Sequence, residues 1–294
     1  MDDINTWVRG QNRELTEWLH EYEKLFLTRK YVKKTIQNKT GIISFLHRKL
    51  GNRKIRSLTP RELDDFINIY IANNKHHAAK QAYILIRDIF REAWLSGWIK
   101  YSPALPLRAP QVRVKRARLL LPEWQKIYKL SHVIARPYMP HAMALALVTG
   151  QRRGDISKMR RSDVFNGYLH IEQEKTGQKI ALPLELYSSV LDKTLGDIIK
   201  KCPGNDYLLS KQRRVMPWSL SYGFQISRDA AFPDANELWR DALPPTFHEQ
   251  RSLAERIFRD ENIDTQLLLG HRSMQMTDKY HDNRGRDWNY LIIK

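Results

Sequence analysis

The chain has 294 residues, enough for about two domains, and its 42% hydrophobic content excludes wholesale disorder. It carries 50 Lys+Arg against 32 Asp+Glu, a net charge of +18, so a polyanion is the first partner to consider. No apolar run reaches the ~18 residues of a membrane helix, the N-terminus has no apolar signal region, and the single Cys202 allows no internal disulfide and fits a reducing cytoplasm. The charge is uneven: residues 1–118 hold 24 basic and 11 acidic side chains, residues 119–294 hold 26 and 21. Nucleic acid fits better than an anionic membrane, because the basic residues are not gathered on one amphipathic helix.

The first half reads as about four helices before residue 101. In "NRELTEWLHEYEKLFLTR", Leu15, Trp18, Leu19, Tyr22, Leu25 and Phe26 follow helical spacing and form a core stripe. "TPRELDDFINIYI" opens with Thr59 as N-cap, Pro60 in the first helical position and Glu62 closing a capping box. "AKQAYILIRDIFREAWLSG" is a longer helix that stops at Gly97. The adjacent His76 and His77 read as surface residues rather than metal ligands.

"SPALPLRAPQVRVKRAR", residues 102–118, holds three prolines and reads as an interdomain linker. Its basic residues Arg108, Arg113, Lys115, Arg116 and Arg118 suit a phosphate backbone, so the two domains would clamp a duplex from two sides.

The second half is mixed. "MALALVTG" is an apolar helix ending at Gly150. "YLHIEQEKTGQKIALPL" alternates and turns at Lys175-Thr176-Gly177, a β-hairpin. Helical patterns follow at about 186–201, 217–230, 247–259 and 264–269, and "DWNYLIIK" reads as a terminal strand able to pair with another sheet edge. The fold class is mainly α with a small β component: a helical domain over 1–101, the linker over 102–118 and a mixed α+β domain over 119–294.

A phosphate-binding G-x-x-x-x-G-K-[ST] loop, H-E-x-x-H, paired C-x-x-C and G-x-S-x-G are all missing, so neither ATP, zinc nor a serine-hydrolase elbow is expected, and no cofactor is. Four stretches stand out. "TGQRRGD" places Arg152 after a helix end with Asp155 three residues on. "EKTGQ" sets Lys175 at a hairpin tip. "TFHEQRSLAE" puts His248 and Arg251 on one helix face, and "LLGHRSMQMTDKY" supplies His271 and Tyr280. Tyr280 sits among Asp278, Lys279, His281 and Asp282, a polar setting that suits a presented, mobile side chain.

Singly these are ordinary surface residues. In this order they resemble the tyrosine recombinase (phage integrase) family of site-specific DNA recombinases, and within it the phage lambda type. "VTGQRRGDISKMRRSDVFNGYLHIEQEKTGQKIALPL", "PPTFHEQRSLAERIF" and "HDNRGRDWNYLIIK" all share the likeness. The family box commonly has leucine before its arginine, where this chain has Gln250. Lambda-type integrases also carry an arm-binding domain ahead of the helical one, whereas here only a short stretch precedes the first helix. Either the chain is a fragment or it works without that domain.

The resemblance implies a helical core-binding domain plus a mixed α+β catalytic domain. It implies attack by Tyr280 on a DNA phosphodiester, giving a 3′-phosphotyrosine and a free 5′-hydroxyl, with no ATP or metal. Arg152, Arg251 and His271 would hold the phosphate oxygens, His248 would act as general base and Lys175 as general acid. Asp155 would orient Arg152. The implied partner is double-stranded DNA at attachment-type core sites, bound by a homotetramer in which strand 287–294 docks on a neighbouring subunit, with accessory DNA-bending proteins, in the cytoplasm of a bacterial host. A type IB topoisomerase-like strand transferase and a non-catalytic DNA-binding protein are the competing readings.

Overall fold

The computed structural model describes residues 13–112, 116–211, 213–234, 238–240 and 242–281. The chain forms two compact units, 1–114 and 115–294.

In the first unit, α1 (Leu15–Thr28), α2 (Lys33–Leu50), α3 (Pro60–Ala72) and α4 (His76–Leu95) follow in sequence. Their apolar stripes make one core: Trp18, Tyr22 and Phe26 of α1 meet Leu46 of α2, Phe66 of α3 and Ile86, Ile89 and Phe90 of α4. Each side chain buried this way stabilises the unit by about 1.5–3 kcal/mol. Leu25, which spacing puts on the stripe, is instead 41% exposed. The two buried polar tips are satisfied: Trp18 Nε1 donates to the Ile89 carbonyl at 3.1 Å and the Tyr22 hydroxyl to Asp88 at 2.6 Å. α3 begins as its sequence predicts, with Thr59 and Glu62 exchanging capping-box bonds. Gly97 takes φ +72° just past α4, a conformation that suits glycine and stops the helix.

The described residues of 102–118 include side chains packed into each unit. Ala104 and Leu107 are buried in the first unit's core. Ala117 donates to the Leu243 carbonyl at 2.8 Å, and Ala117 and Arg118 are buried within the second unit. The prolines forbid a helix here, and residues 103–106 instead form a turn in which the Leu105 N–H donates to the Ser102 carbonyl at 3.2 Å.

The second unit is built round α6 (Tyr138–Thr149), flanked by α5 (Leu121–Ile134) and α7 (Arg153–Lys158). α6 is buried on almost every side, from Met139 through Thr149 apart from the half-buried His141, so it is the unit's central helix. β1 (Val164–Phe165), β2 (Tyr168–Glu172) and β3 (Lys179–Pro183) form an antiparallel sheet in that order, with Ile171 opposite Ile180. α8 (Leu195–Lys201), α9 (Pro217–Ala231), α10 (Glu249–Asp260), α11 (Thr265–Leu269) and α12 (Met274–His281) complete it, with α10 packed on α6 and α12.

The helix expected over 186–201 begins only at Leu195. Before it, β4 (Tyr187–Ser188) and β5 (Lys193–Thr194) pair antiparallel. Asp192 turns at φ +50° and accepts from the Tyr187 hydroxyl at 2.6 Å, and Thr194 with Asp197 then caps α8. These local side-chain bonds compete with helix at the segment's start. The predicted terminal strand 287–294 lies outside the described residues.

Candidate active site

Two left-handed glycines shape the site. Gly150, at φ +62°, ends α6, and a Cβ there would stand 2.7 Å from Leu269. Gly270, also at φ +62°, ends α11 and turns the chain so that His271 points back at α10. Arg152 therefore enters from the α6–α7 junction, Arg251 from α10, His271 from the α11–α12 turn and Tyr280 from α12.

Arg251 is 1% exposed. Its Nη1 donates to the Gly150 carbonyl at 2.7 Å and its Nη2 to the Leu269 carbonyl at 2.6 Å, while Nη2 also lies 2.9 Å from His271 Nε2. Burial, with the charge of Arg152 added, pulls its pKa down to about 10. An anion arriving here would offset part of that cost, because a nearby opposite charge favours the charged guanidinium.

Because Arg251 can only donate, His271 Nε2 accepts, which leaves the ring proton on Nδ1, 2.9 Å from Thr277 Oγ1. Burial and the two arginines hold the imidazole down at about 4, so it is neutral at pH 7. In this arrangement one ring nitrogen of His271 faces Arg251 and the other faces Thr277.

Tyr280 is half-buried, its ring centre 5.2 Å from that of His271, 6.1 Å from that of His248 and 5.5 Å from the Arg251 guanidinium carbon. It stands near the end of a helix, not on an irregular segment. α12 is pinned by its backbone: Arg118 Nη2 donates to the Lys279 carbonyl at 2.5 Å and Ser252 Oγ to the Tyr280 carbonyl at 2.6 Å. Arg259 pairs with Asp278 at 3.1 Å, and His281 Nδ1 lies 3.3 Å from Glu255.

His248 caps α10, one turn before Arg251. It keeps an exposed edge, yet the protein packed round the ring, with Arg251, Arg152 and Arg116 adding like charge, brings its pKa down to about 4. Lys175 is exposed in the turn between β2 and β3, where Gly177 takes φ +66°. No hydrogen bond or ion pair joins it to the cluster among the described residues.

Two expectations are overturned. Asp155 does not pair with Arg152. Its Oδ1 accepts the Glu174 backbone N–H at 2.8 Å, tying down the turn that carries Lys175, and its Oδ2 is buried without a hydrogen-bond partner among the described residues. Arg118 is not a DNA-facing side chain. It is 5% exposed and paired with Glu249 at 3.2 Å. Of the other basic candidates, Arg108 is exposed, Arg116 is half-buried in a bridge to Leu243, and Arg113 and Lys115 lie outside the described residues.

Sequence reading missed Gln173, which accepts from Arg152 Nη1 at 2.8 Å, and with it Gln151, Ser252 and Thr277. Gln173 had a signal. Leu169 and Ile171 face inward along β2, and Gln173 continues that two-residue period as a polar residue at a core-facing position. Gln250, at the position where leucine is common, is buried and accepts from Trp124 Nε1 at 2.8 Å. Among the described residues no three His, Cys, Asp or Glu side chains form a group able to hold a metal ion, His76 and His77 included, and no helix is long and apolar enough to cross a membrane.

Residues 118–286 match the phage integrase family, and the chain belongs to that family. It is 38% identical to the prophage integrase IntE of Escherichia coli (strain K12) over 275 residues, covering 88% of this chain and 72% of that protein. It is 36% identical to the integrase of Escherichia phage lambda, covering 95% of this chain and 79% of that one. Among solved structures it resembles a lambda integrase dimer bound to a COC′ core site, with a TM-score of 0.86, 34% identity and coverage of 96% of this chain and all (100%) of that one. It resembles equally a lambda integrase tetramer bound to a Holliday junction, with a TM-score of 0.86, 34% identity and coverage of 98% and 84%. The chain is accordingly a site-specific tyrosine recombinase, mainly α with a small β component.

Proposed function

We propose that this recombinase breaks and rejoins DNA through Tyr280, in the manner of a phage integrase that inserts or excises a mobile element. The observation that carries the assignment is the half-buried Tyr280 ring set among Arg251, His271 and His248. The phenol gives up its proton, its oxygen bonds to phosphorus, and the bond from phosphorus to the 5′-oxygen breaks. The products are a 3′-phosphotyrosine and a 5′-hydroxyl, and attack by a second 5′-hydroxyl reverses the step on another strand. The covalent bond conserves the energy, so no nucleotide is consumed.

Arg152 and Arg251 hold the non-bridging oxygens as charge develops, the largest catalytic contribution in sites of this kind. His248, neutral at pH 7, accepts the phenol proton, and the incoming phosphate raises its basicity by opposing the charges of Arg152, Arg251 and Arg116. Lys175, exposed at its turn, reaches out to protonate the leaving 5′-oxygen.

Its substrate is double-stranded DNA with attachment-type core sites. It acts in the cytoplasm of a bacterial host, as a tetramer on two duplexes in which residues 287–294 dock on a neighbouring subunit and accessory proteins bend the DNA. The lambda tetramer on a Holliday junction supports this over a monomeric topoisomerase-like cycle. The deciding experiment is relaxation of a supercoiled plasmid, and capture of a protein–DNA adduct after detergent quench, in EDTA without ATP. Wild type forms the adduct, and Tyr280→Phe forms none while binding DNA with nearly unchanged affinity. An adduct that survives in Tyr280→Phe would overturn the assignment.

A further inference from the structure

Gln173 is 1% exposed, yet its side-chain amide uses its full bonding capacity. Oε1 accepts from Arg152 Nη1 at 2.8 Å and from Thr176 Oγ1 at 2.7 Å. Nε2 donates to Gln151 Oε1 and to the Leu269 carbonyl, both at 2.8 Å. Each partner leads to a different part of the site. Arg152 is one arm of the phosphate clamp. Thr176 adjoins Lys175, and the same turn closes on the Gln173 backbone through Gly177 N–H at 2.8 Å. The Leu269 carbonyl also receives Arg251 Nη2, and His271 follows two residues on. The fit at this junction is close, since a Cβ on Gly270 would lie 2.9 Å from Gln173 Nε2.

We infer that Gln173 is a positioning residue that sets Arg152 and the Lys175 turn in register with the Arg251–His271 side of the site. The inference rests on the strand-transfer reading above. An amide suits the task because it accepts from a cation on one edge and donates to carbonyls on the other. A carboxylate lacks the donors, and an apolar side chain lacks both. Misplacement of a reacting group by about 1 Å costs on the order of 100-fold in rate.

The test uses the full chain and core-site duplexes on which wild type forms its adduct, made with oxygen or sulfur at the 5′-bridging position. A sulfur leaving group departs as the thiolate and needs no proton from Lys175. Gln173→Met and the equal-sized Gln173→Glu should cleave the oxygen duplex about 10- to 100-fold more slowly than wild type, with DNA affinity kept. On the sulfur duplex a large part of the loss should be recovered, as it is for Lys175→Ala. Equal losses on the two duplexes, or no loss on either, would overturn the inference. Should Gln173→Met melt early, Gln173→Glu carries the comparison. Failure of the underlying reading looks different: Lys175→Ala would then gain nothing from sulfur, or Tyr280→Phe would still cleave.

Discussion

The two units keep polar groups in opposite ways. In the helical unit the described core is aliphatic and aromatic, and Arg29, Asp88 and Glu92 meet at its margin. Every described polar or charged residue that is buried, aromatic residues aside, belongs to the second unit, among them Arg118, Gln151, Asp155, Gln173, Glu249, Gln250, Arg251, Glu255 and His271. A unit that carries none of the proposed catalytic side chains can keep its interior apolar. A unit that handles a phosphate must keep cations desolvated and aimed, and so needs a scaffold of carbonyls, amides and carboxylates to hold them.

The comparison breaks if the two interiors respond alike to substitution. Phe90→Ala should cost the helical unit about 3–5 kcal/mol through a cavity, read by urea unfolding. Arg118→Met should cost the second unit a similar ~3–5 kcal/mol by breaking a buried pair, and should leave the salt dependence of DNA binding unchanged. A smaller salt slope would return Arg118 to the DNA surface. Arg152→Lys should leave folding intact and slow adduct formation about 100- to 1,000-fold, because an ammonium has no fork.

Acid sharpens the contrast further. His271 is held at about 4, below its ordinary value of 6.5. Between these values the unfolded chain binds the proton and the folded chain does not, so stability rises with pH across the window and is complete above it. The slope due to His271 should be on the order of 1.4 kcal/mol per pH unit, read as the difference between wild type and His271→Asn. Glu255, held above the usual carboxylate range by burial, works in the opposite sense, which is why the difference matters. The smallest effect concerns Trp124 and Gln250: Trp124→Phe or Gln250→Leu alone should cost about 1–3 kcal/mol by stranding a buried partner, while the double variant recovers most of it.

Much of this was legible in the chain. The apolar spacing of Trp18, Tyr22 and Phe26, the Thr59–Pro60–Glu62 cap, and the stops at Gly97 and Gly150 are local instructions carried out within a turn or two of helix. The order Arg152, Lys175, His248, Arg251, His271, Tyr280 pointed to the chemistry. What only the tertiary structure decided were pairings across long stretches of chain. Arg118 reaches Glu249 across 131 positions, and Gln173 reaches Leu269 across 96. Asp155 bonds Glu174 instead of its neighbour Arg152, and the tautomer of His271 follows from Arg251. Periodicity records which face of an element is buried. It does not record which buried polar groups find one another, because those bonds form only when distant elements pack and water leaves.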